Sequence, residues 1–309
     1  MGVTVGFRNP DRRFALRWAW ASLIANATLV LTGGLVRLTG SGLGCPTWPK
    51  CTDDSFVPHR ALGINGVIEF GNRMLTYVLI AVAIATFLAV WRWAGADRSM
   101  RRLVILMGLG IPFQGVIGGI TVLTDLNPWI VSLHLLLSMA LVAASVLLVV
   151  GVRGGGGEPV DVVQVWLVRA TYAVLWVVVY LGTIVTGSGP HAGDAKAPRN
   201  GLDPAAISQV HTDVVFLLVG LTVGCWVALR SSAPVAARAA LVVLVIELAQ
   251  GLIGFVQYAT DLPIALVAAH LVGAAVLIAA GTHLLLVASP RAAAETDRLG
   301  GSTDLEGSR

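Results

Sequence analysis

QGVIGGITVLTDLNPWIVSLH (Gln114–His134) and QGLIGFVQYATDLPIALVAAH (Gln250–His270) decide how this chain folds. Both open on Gln-Gly and carry Ile-Gly three residues on. Both place Thr-Asp-Leu ten residues from the start and end on a histidine twenty residues after the glutamine. Each stretch is the end of one apolar segment, a turn, and the start of the next. Self-similarity of this kind marks a chain built from repeated units.

Two fainter matches extend the repeat. VRLTGSG (Val36–Gly42) and TIVTGSG (Thr183–Gly189) both close an apolar segment with Thr-Gly-Ser-Gly. VIEFGNRML (Val67–Leu75) then aligns with AISQVHTDV (Ala206–Val214), which puts Ile68 on Ile207 and Asn72 on His211.

Of 309 residues 56% are hydrophobic and only 12% charged, with mean hydropathy +0.81, so water is not the solvent for most of this surface. A helix crossing about 30 Å of hydrocarbon needs about 20 apolar residues. Eight segments qualify: 14–36, 64–92, 103–123, 129–152, 163–186, 206–229, 235–257 and 263–288. With the repeat, they predict an all-α integral membrane protein whose eight transmembrane helices form two tandem, pseudo-symmetric four-helix bundles. Each copy enters from the same side, so the repeat is parallel. The expected organisation is an N-terminal half over 1–153, a Gly-rich cytoplasmic linker over 154–162, a C-terminal half over 163–290, and a disordered cytoplasmic tail over 291–309.

Arginine sets the orientation. Arg8, Arg12, Arg13 and Arg17 precede the first span, and Arg92, Arg98, Arg101 and Arg102 separate the second from the third. Arg153, Arg230, Arg238, Arg291 and Arg298 fall on the same side. The other side holds Arg37, Lys50, Arg60, Lys196 and Arg199. The positive-inside rule then places both termini in the cytoplasm, as expected of a multi-pass cell-membrane protein. The pI of about 9.3 reflects these inner loops, and no basic patch suits nucleic acid. The first apolar segment lacks a small-residue cleavage site near residue 30 and is read as a retained span.

His134, His211 and His270 begin spans four, six and eight. All three imidazoles are expected about 8–10 Å below the outer surface, at 1.5 Å per residue. In the second copy, His211 and His270 lie at one depth on two helices of one bundle, which is the geometry of two axial ligands to one haem. A lone membrane histidine is more often an interhelical hydrogen-bonding group; a pair at one depth, recurring by repeat, favours ligation. The first copy keeps His134 but has Asn72 in place of its partner. Glu69 stands three residues before Asn72 on the same helix face. It marks either a reacting site beside a tetrapyrrole or a plain i, i+4 pair with Arg73. His59 and His191, in outer loops, read as solvated. Gly115 and Gly119 read as a small-xxx-small packing motif. Arg37 and the other outer basic residues could attract haem propionates. Cys45 and Cys51 share an outer loop, where an oxidising compartment and Gly/Pro turns favour a disulfide over two free thiols. Cys225 reads as a small core residue.

GGLVRLTGSGLGCPTWPKC (Gly33–Cys51), IEFGNR (Ile68–Arg73) and TGSGPHAGD (Thr186–Asp194) resemble the haem A synthase family, whose members convert haem O to haem A. The resemblance runs from the first span to the eighth. It implies a C-terminal half holding a haem b cofactor on His211 and His270, and an N-terminal half taking the substrate haem O near His134 and Asn72. It implies Glu69 as the catalytic glutamate and Cys45–Cys51 as a disulfide. The implied reaction oxidises the C8 methyl of haem O to a formyl group by successive hydroxylations. Where many members read ExxHR, this chain reads EFGNR, and asparagine is a poor iron ligand. Haem O synthase is the expected functional partner and membrane lipid the surroundings; no residue names the electron acceptor. Two other readings use the same histidines: a b-type cytochrome relaying electrons to or from quinone, and a non-enzymatic haem carrier for oxidase assembly.

Overall fold

The computed structural model describes residues 6–288; the tail expected over 291–309 lies outside them. Eight helices run in chain order: α1 (Arg12–Leu38), α2 (Gly63–Arg92), α3 (Arg98–Leu123), α4 (Pro128–Arg153), α5 (Val162–Ser188), α6 (Pro204–Leu229), α7 (Pro234–Ala259) and α8 (Ile264–Val287). A single 3-10 turn, Arg60–Leu62, leads into α2. The shortest helix has 24 residues and the longest 30, about 36–45 Å of helix. All eight are long and apolar enough to cross a membrane, and no strand occurs among the described residues. The protein is a multi-pass membrane protein.

Short polar residues set the helix starts by accepting otherwise unpaired N–H groups. Asp11, Asp97 and Asp203 accept from Phe14, Met100 and Ala206, each at 2.7 Å. Asp161 and Gln164 form a reciprocal capping box. Helix α7 has no cap of its own. Glu158 supplies one from the connection between the halves: its Oε2 accepts from Val235 N and Ala236 N, both at 2.9 Å. The Glu158 N–H in turn donates to Val287 O at 2.7 Å. The glycine run read as a linker therefore begins as a helix stop. Gly154 takes φ +68° after α4, and the N–H groups of Gly154 and Gly155 return to Gly151 O and Val150 O.

Helix neighbours reproduce the repeat. In the N-terminal half α1 packs on α2, α2 on α3, α3 on α4, and α4 back on α1; α5 to α8 close the same ring. The halves meet through α4 on α8, α1 on α8 and α4 on α5. Swapping α1–α4 for α5–α8 maps this contact set onto itself, as a two-fold axis would. Diagonal helices, α2 with α4 and α6 with α8, are not direct neighbours. The main core spans the interface, joining Met139 and Val142 of α4 to Leu175 of α5, Leu218 of α6 and Ile278 of α8. Close approach of α1 to α8 requires Gly34, because a Cβ there would lie 2.1 Å from Leu271 Cδ2.

The two Thr-Asp-Leu turns fold alike. Asp125 and Leu126 have φ of 51° and 61°, and Asp261 and Leu262 have 59° and 58°. Leu126 N donates to Thr121 O and Leu262 N to Gln257 O, both at 2.7 Å. Paired left-handed conformations at non-glycine residues are uncommon. Their recurrence shows that the sequence repeat is a structural one.

Candidate functional site

The candidate site lies toward the outer ends of the two rings of helices, near the starts of α2, α4, α6 and α8. In the N-terminal half, buried side chains of α2 concentrate in its inner stretch, at Leu79, Thr86, Ala89 and Val90. Nearer the outer end the same helix carries Asn72 and Glu69.

Four polar residues occupy equivalent places, one on each even-numbered helix, and each faces a glycine on the helix before it. A Cβ at Gly118 of α3 would come within 3.2 Å of His134 Cε1 on α4. A Cβ at Gly182 of α5 would come within 3.4 Å of His211 Cε1, and one at Gly254 of α7 within 3.5 Å of His270 Cε1. Gly33 of α1 stands 4.0 Å from Asn72 Nδ2 in the same sense. The pairs Asn72/His134 and His211/His270 thus stand on diagonal helices, one pair in each bundle. His211 and His270 are electrostatic neighbours across theirs.

Burial without partners is the second feature. Nδ1 of His134 and Oδ1 of Asn72 are buried with no hydrogen-bond partner, while the buried rings of His211 and His270 have only backbone neighbours, Val178 and Gln250, to pair with. A buried polar atom left unpaired costs about 1–3 kcal/mol, so polar groups buried at four equivalent positions with so few partners point to a place for a ligand. The donor set in the C-terminal half, two buried imidazoles on diagonal helices, each against a glycine of the preceding helix, fits a haem iron with two nitrogen ligands. Among the described residues no cluster of three or more His, Cys, Asp or Glu could hold a bare metal ion.

Glu69 is 5% exposed and lies at the outer rim of the N-terminal cleft. Its Oε1 accepts from Arg73 Nη2 at 2.5 Å and Nε at 3.2 Å. The i, i+4 pair anticipated from sequence is therefore present. Its other oxygen, Oε2, accepts from the backbone N–H of Cys45 at 2.6 Å, which the spacing did not reveal. Arg73 also donates to Cys45 O, Thr47 O and Lys50 O at 3.0, 3.1 and 3.2 Å. Cys45 and Cys51 form a disulfide. Its loop is thus fastened onto α2 by one carboxylate and one guanidinium. The loop reaches further and lays Trp48 on α3: a Cβ at Gly119 would lie 2.4 Å from the indole.

Two sequence expectations change. Gly119 packs under a loop tryptophan rather than a helix, and Gly115 has nothing within 4 Å of an added Cβ, so the pair is not a helix–helix motif. His191 is not solvated: it is half-buried, and its Nε2 lies 2.9 Å from Leu262 O. Arg37 joins the two halves, donating to His191 O at 2.7 Å and Thr186 O at 3.0 Å. The glycines opposite the polar residues were missed, although the Ile-Gly kept in both copies of the repeat pointed to Gly118 and Gly254.

Fold and site together define a membrane-embedded two-bundle protein with one diagonal histidine pair, one histidine–asparagine pair, and a disulfide loop closed on a buried carboxylate. The chain belongs to the COX15-CtaA family, described as cytochrome oxidase assembly protein, whose family model matches residues 16–198. That stretch includes Glu69, His134 and both loop cysteines and ends before His211. The heme A synthase of Lysinibacillus sphaericus is 33% identical over 135 residues, 43% of each chain. That of Halalkalibacterium halodurans is 30% identical over 171 residues, 52% of this chain and 56% of its own. That of Listeria welshimeri is 30% identical over 138 residues, 44% and 45%. The chain thus spans about half the length of the curated relatives it matches.

Proposed function

We propose that this protein is a haem A synthase, an oxidoreductase that converts the C8 methyl of haem O to a formyl group by successive hydroxylation. The observation that carries the reading is the asymmetry between equivalent sites. Two histidines face each other in the C-terminal half, whereas the N-terminal half has one histidine, one asparagine and a buried carboxylate at its rim.

His211 and His270 would hold a haem b as permanent cofactor; their burial on diagonal helices, each against a glycine of the preceding helix, supports this. Bound there, haem b supplies a one-electron redox centre. Haem O is the substrate of the N-terminal half, with His134 as its iron ligand and Asn72 as hydrogen-bonding neighbour. A site with one strong ligand exchanges its tetrapyrrole more readily than a site with two.

The net change, methyl plus water to formyl, releases protons and electrons in equal number. Glu69 is the group placed to meet the protons or the positive charge on the carbon being oxidised. The Cys45 N–H and Arg73 fix the carboxylate from the rim side. The disulfide loop and Trp48 cover the outer face and limit the access of bulk water. The positive-inside distribution of arginine supports a cell-membrane location with both termini cytoplasmic. A haem O synthase is the partner that would supply substrate.

The test is haem extraction and mass analysis of membranes in which the chain is co-expressed with a haem O source, for the wild type and Glu69→Ala. Haem A in the wild type, lost in the variant while haem b is retained, is the expected result. Haem b alone in both, despite ample haem O, overturns the reading and leaves an electron-relay cytochrome.

A further inference from the structure

The two halves differ in a second way, below the histidine level. Pairing Gln114 with Gln250 sets Gly108-Leu-Gly-Ile-Pro-Phe-Gln114 of α3 against Leu244-Val-Ile-Glu-Leu-Ala-Gln250 of α7. Gly108, Gly110 and Pro112 thus stand where the other half has Leu244, Ile246 and Leu248. The N-terminal copy is thinned along one stretch of helix, and Pro112 also removes a backbone donor there.

A groove of about 210 Å³ lies between α3 and α4, and of these three residues Gly110 lines it. Met107, Gly110 and Phe113 line it from α3, and Leu137, Ala140 and Leu141 from α4. Phe113 and Ala140 lie exposed on the lipid-facing surface. Gln114 stands at the end nearest His134, its Nε2 donating to His134 O at 3.1 Å and Ser138 Oγ at 2.7 Å. The C-terminal half arranges its glutamine differently. Gln250 lies over Gly273, where a Cβ would come within 1.5 Å of Nε2; the equivalent position in α4 is Leu137. One end of the groove is therefore a single hydrogen bond from the backbone of the histidine proposed to meet haem O, and the rest of it is an apolar wall. It is smaller than the roughly 300–1,000 Å³ of pockets that enclose drug-sized ligands, so it suits a chain rather than a ring.

Resting on the haem A synthase reading, we propose that the α3–α4 groove binds the farnesyl tail of haem O, and that Gly110 is the residue that admits it. Haem O differs from haem b by this isoprenoid tail, and the thinned helix is found in the half assigned to haem O. The tail also gives the site a way to tell one side of the substrate from the other. Methyl groups flank both propionates of the macrocycle, and the tail is the largest feature that makes the two sides unequal. A tail held in a groove fixes which methyl is offered for oxidation.

Lipid is as apolar as the groove, so the gain in affinity comes from packing and not from leaving water. The expected effect is accordingly modest, about tenfold. The experiment uses the full chain in lipid nanodiscs with its resident haem b. Uptake of added haem O and of added haem b into the second site is measured by optical titration and by extraction. Gly110→Ile installs the residue of the other half; since a Cβ at Gly110 already lies 2.8 Å from Leu141 Cδ2, it must also displace that side chain. Ala140→Leu narrows the groove from its exposed rim without a buried clash and decides the matter if the first variant fails to fold. Both are expected to weaken haem O uptake about tenfold while leaving haem b uptake and the resident haem unchanged. Unchanged haem O uptake in a folded variant overturns the proposal and leaves the groove to a lipid acyl chain. Equal weakening for both haems overturns it too, since the tail would not be what is read. A wild type that takes up no haem O overturns the functional reading and this proposal together, whereas wild-type uptake with indifferent variants sinks the groove assignment alone.

Discussion

Arg73→Met isolates what holds the disulfide loop over the cleft. The guanidinium makes contacts of two kinds. Toward α2 it pairs with Glu69 Oε1, at 2.5 Å from Nη2 and 3.2 Å from Nε. Toward the loop it serves three carbonyls, of Cys45, Thr47 and Lys50, at 3.0–3.2 Å. The Glu69 side chain is 7% exposed and that of Arg73 20%. Methionine keeps much of the length and apolar stem but none of the donors. The freed loop carbonyls can turn to water, so each loses only about 1 kcal/mol net. Glu69 cannot turn to water, and breaking a buried pair from one side costs about 3–5 kcal/mol. Part of that cost is relieved if the carboxylate takes a proton, so the sum stays near about 3–5 kcal/mol for holding the loop closed. At 1.4 kcal/mol per factor of ten, the loop should open about a hundred to a few thousand times more often. Hydrogen exchange read by mass spectrometry at the Cys45 amide, whose N–H ends on Glu69, measures this opening directly. Peptides from α5 serve as an internal control. Exchange at Cys45 within about threefold of wild type would refute the reasoning, because the loop would then be held by its disulfide and Trp48 without the guanidinium.

Gly254→Val drives methyl groups toward the His270 ring and is expected to abolish bound haem b, whereas Gly118→Val should spare haem b and prevent uptake of haem O. Pyridine haemochrome spectra of the purified variants distinguish the two. Asn72→His restores the second imidazole of the N-terminal half and should raise retained haem from about one to about two per chain, measured by haem-to-protein ratio. Thr222→Val removes the hydroxyl that donates to the buried Glu247 Oε1 at 2.8 Å and leaves that carboxylate, whose Oε2 has no partner, wholly unpaired. It should destabilise the C-terminal half by about 1–3 kcal/mol. Glu247→Leu removes the polar group itself and should be neutral or stabilising. Thermal unfolding in one detergent ranks these variants, and equal losses for both would contradict the account.

The helices were legible because membrane spans announce themselves by length and composition alone. Predicted ends differ from observed ones by a few residues, as where Arg98 begins α3 ahead of the apolar run at 103. Capping explains that shift, since Asp97 starts the helix before hydrophobicity does. The repeat was legible because Thr-Asp-Leu recurs at the same register in both halves, and both copies fold into the same turn with positive φ at Asp and Leu. Contacts between a helix and a distant loop were not legible. Nothing in the interval from Cys45 to Arg73 says that the guanidinium will collect three loop carbonyls. Trp48 found Gly119 the same way, across sequence, and a glycine spacing that suggested a helix partner served a tryptophan instead. Glu69 was readable as a site residue but ambiguous as to role. The structure keeps the ion pair and adds the Cys45 N–H, a bond formed only once the loop has folded back.

What separates the halves is consistent in direction. The N-terminal copy has Asn72 for His211, Glu69 for Ser208 and Arg73 for Thr212, and glycine and proline on α3 where α7 carries leucine and isoleucine. Each change loosens or polarises the first cleft and leaves the second tightly packed. A bundle that retains one ligand, loses the other and gains a buried carboxylate and an open groove is suited to admit a tetrapyrrole, act on it and let it go. The unaltered bundle beside it is suited to keep one. If so, Asn72→His should cost turnover because it holds product: haem A would accumulate on the protein and no longer appear in the surrounding membrane. Haem A released normally by that variant would show that the lost histidine has nothing to do with exchange.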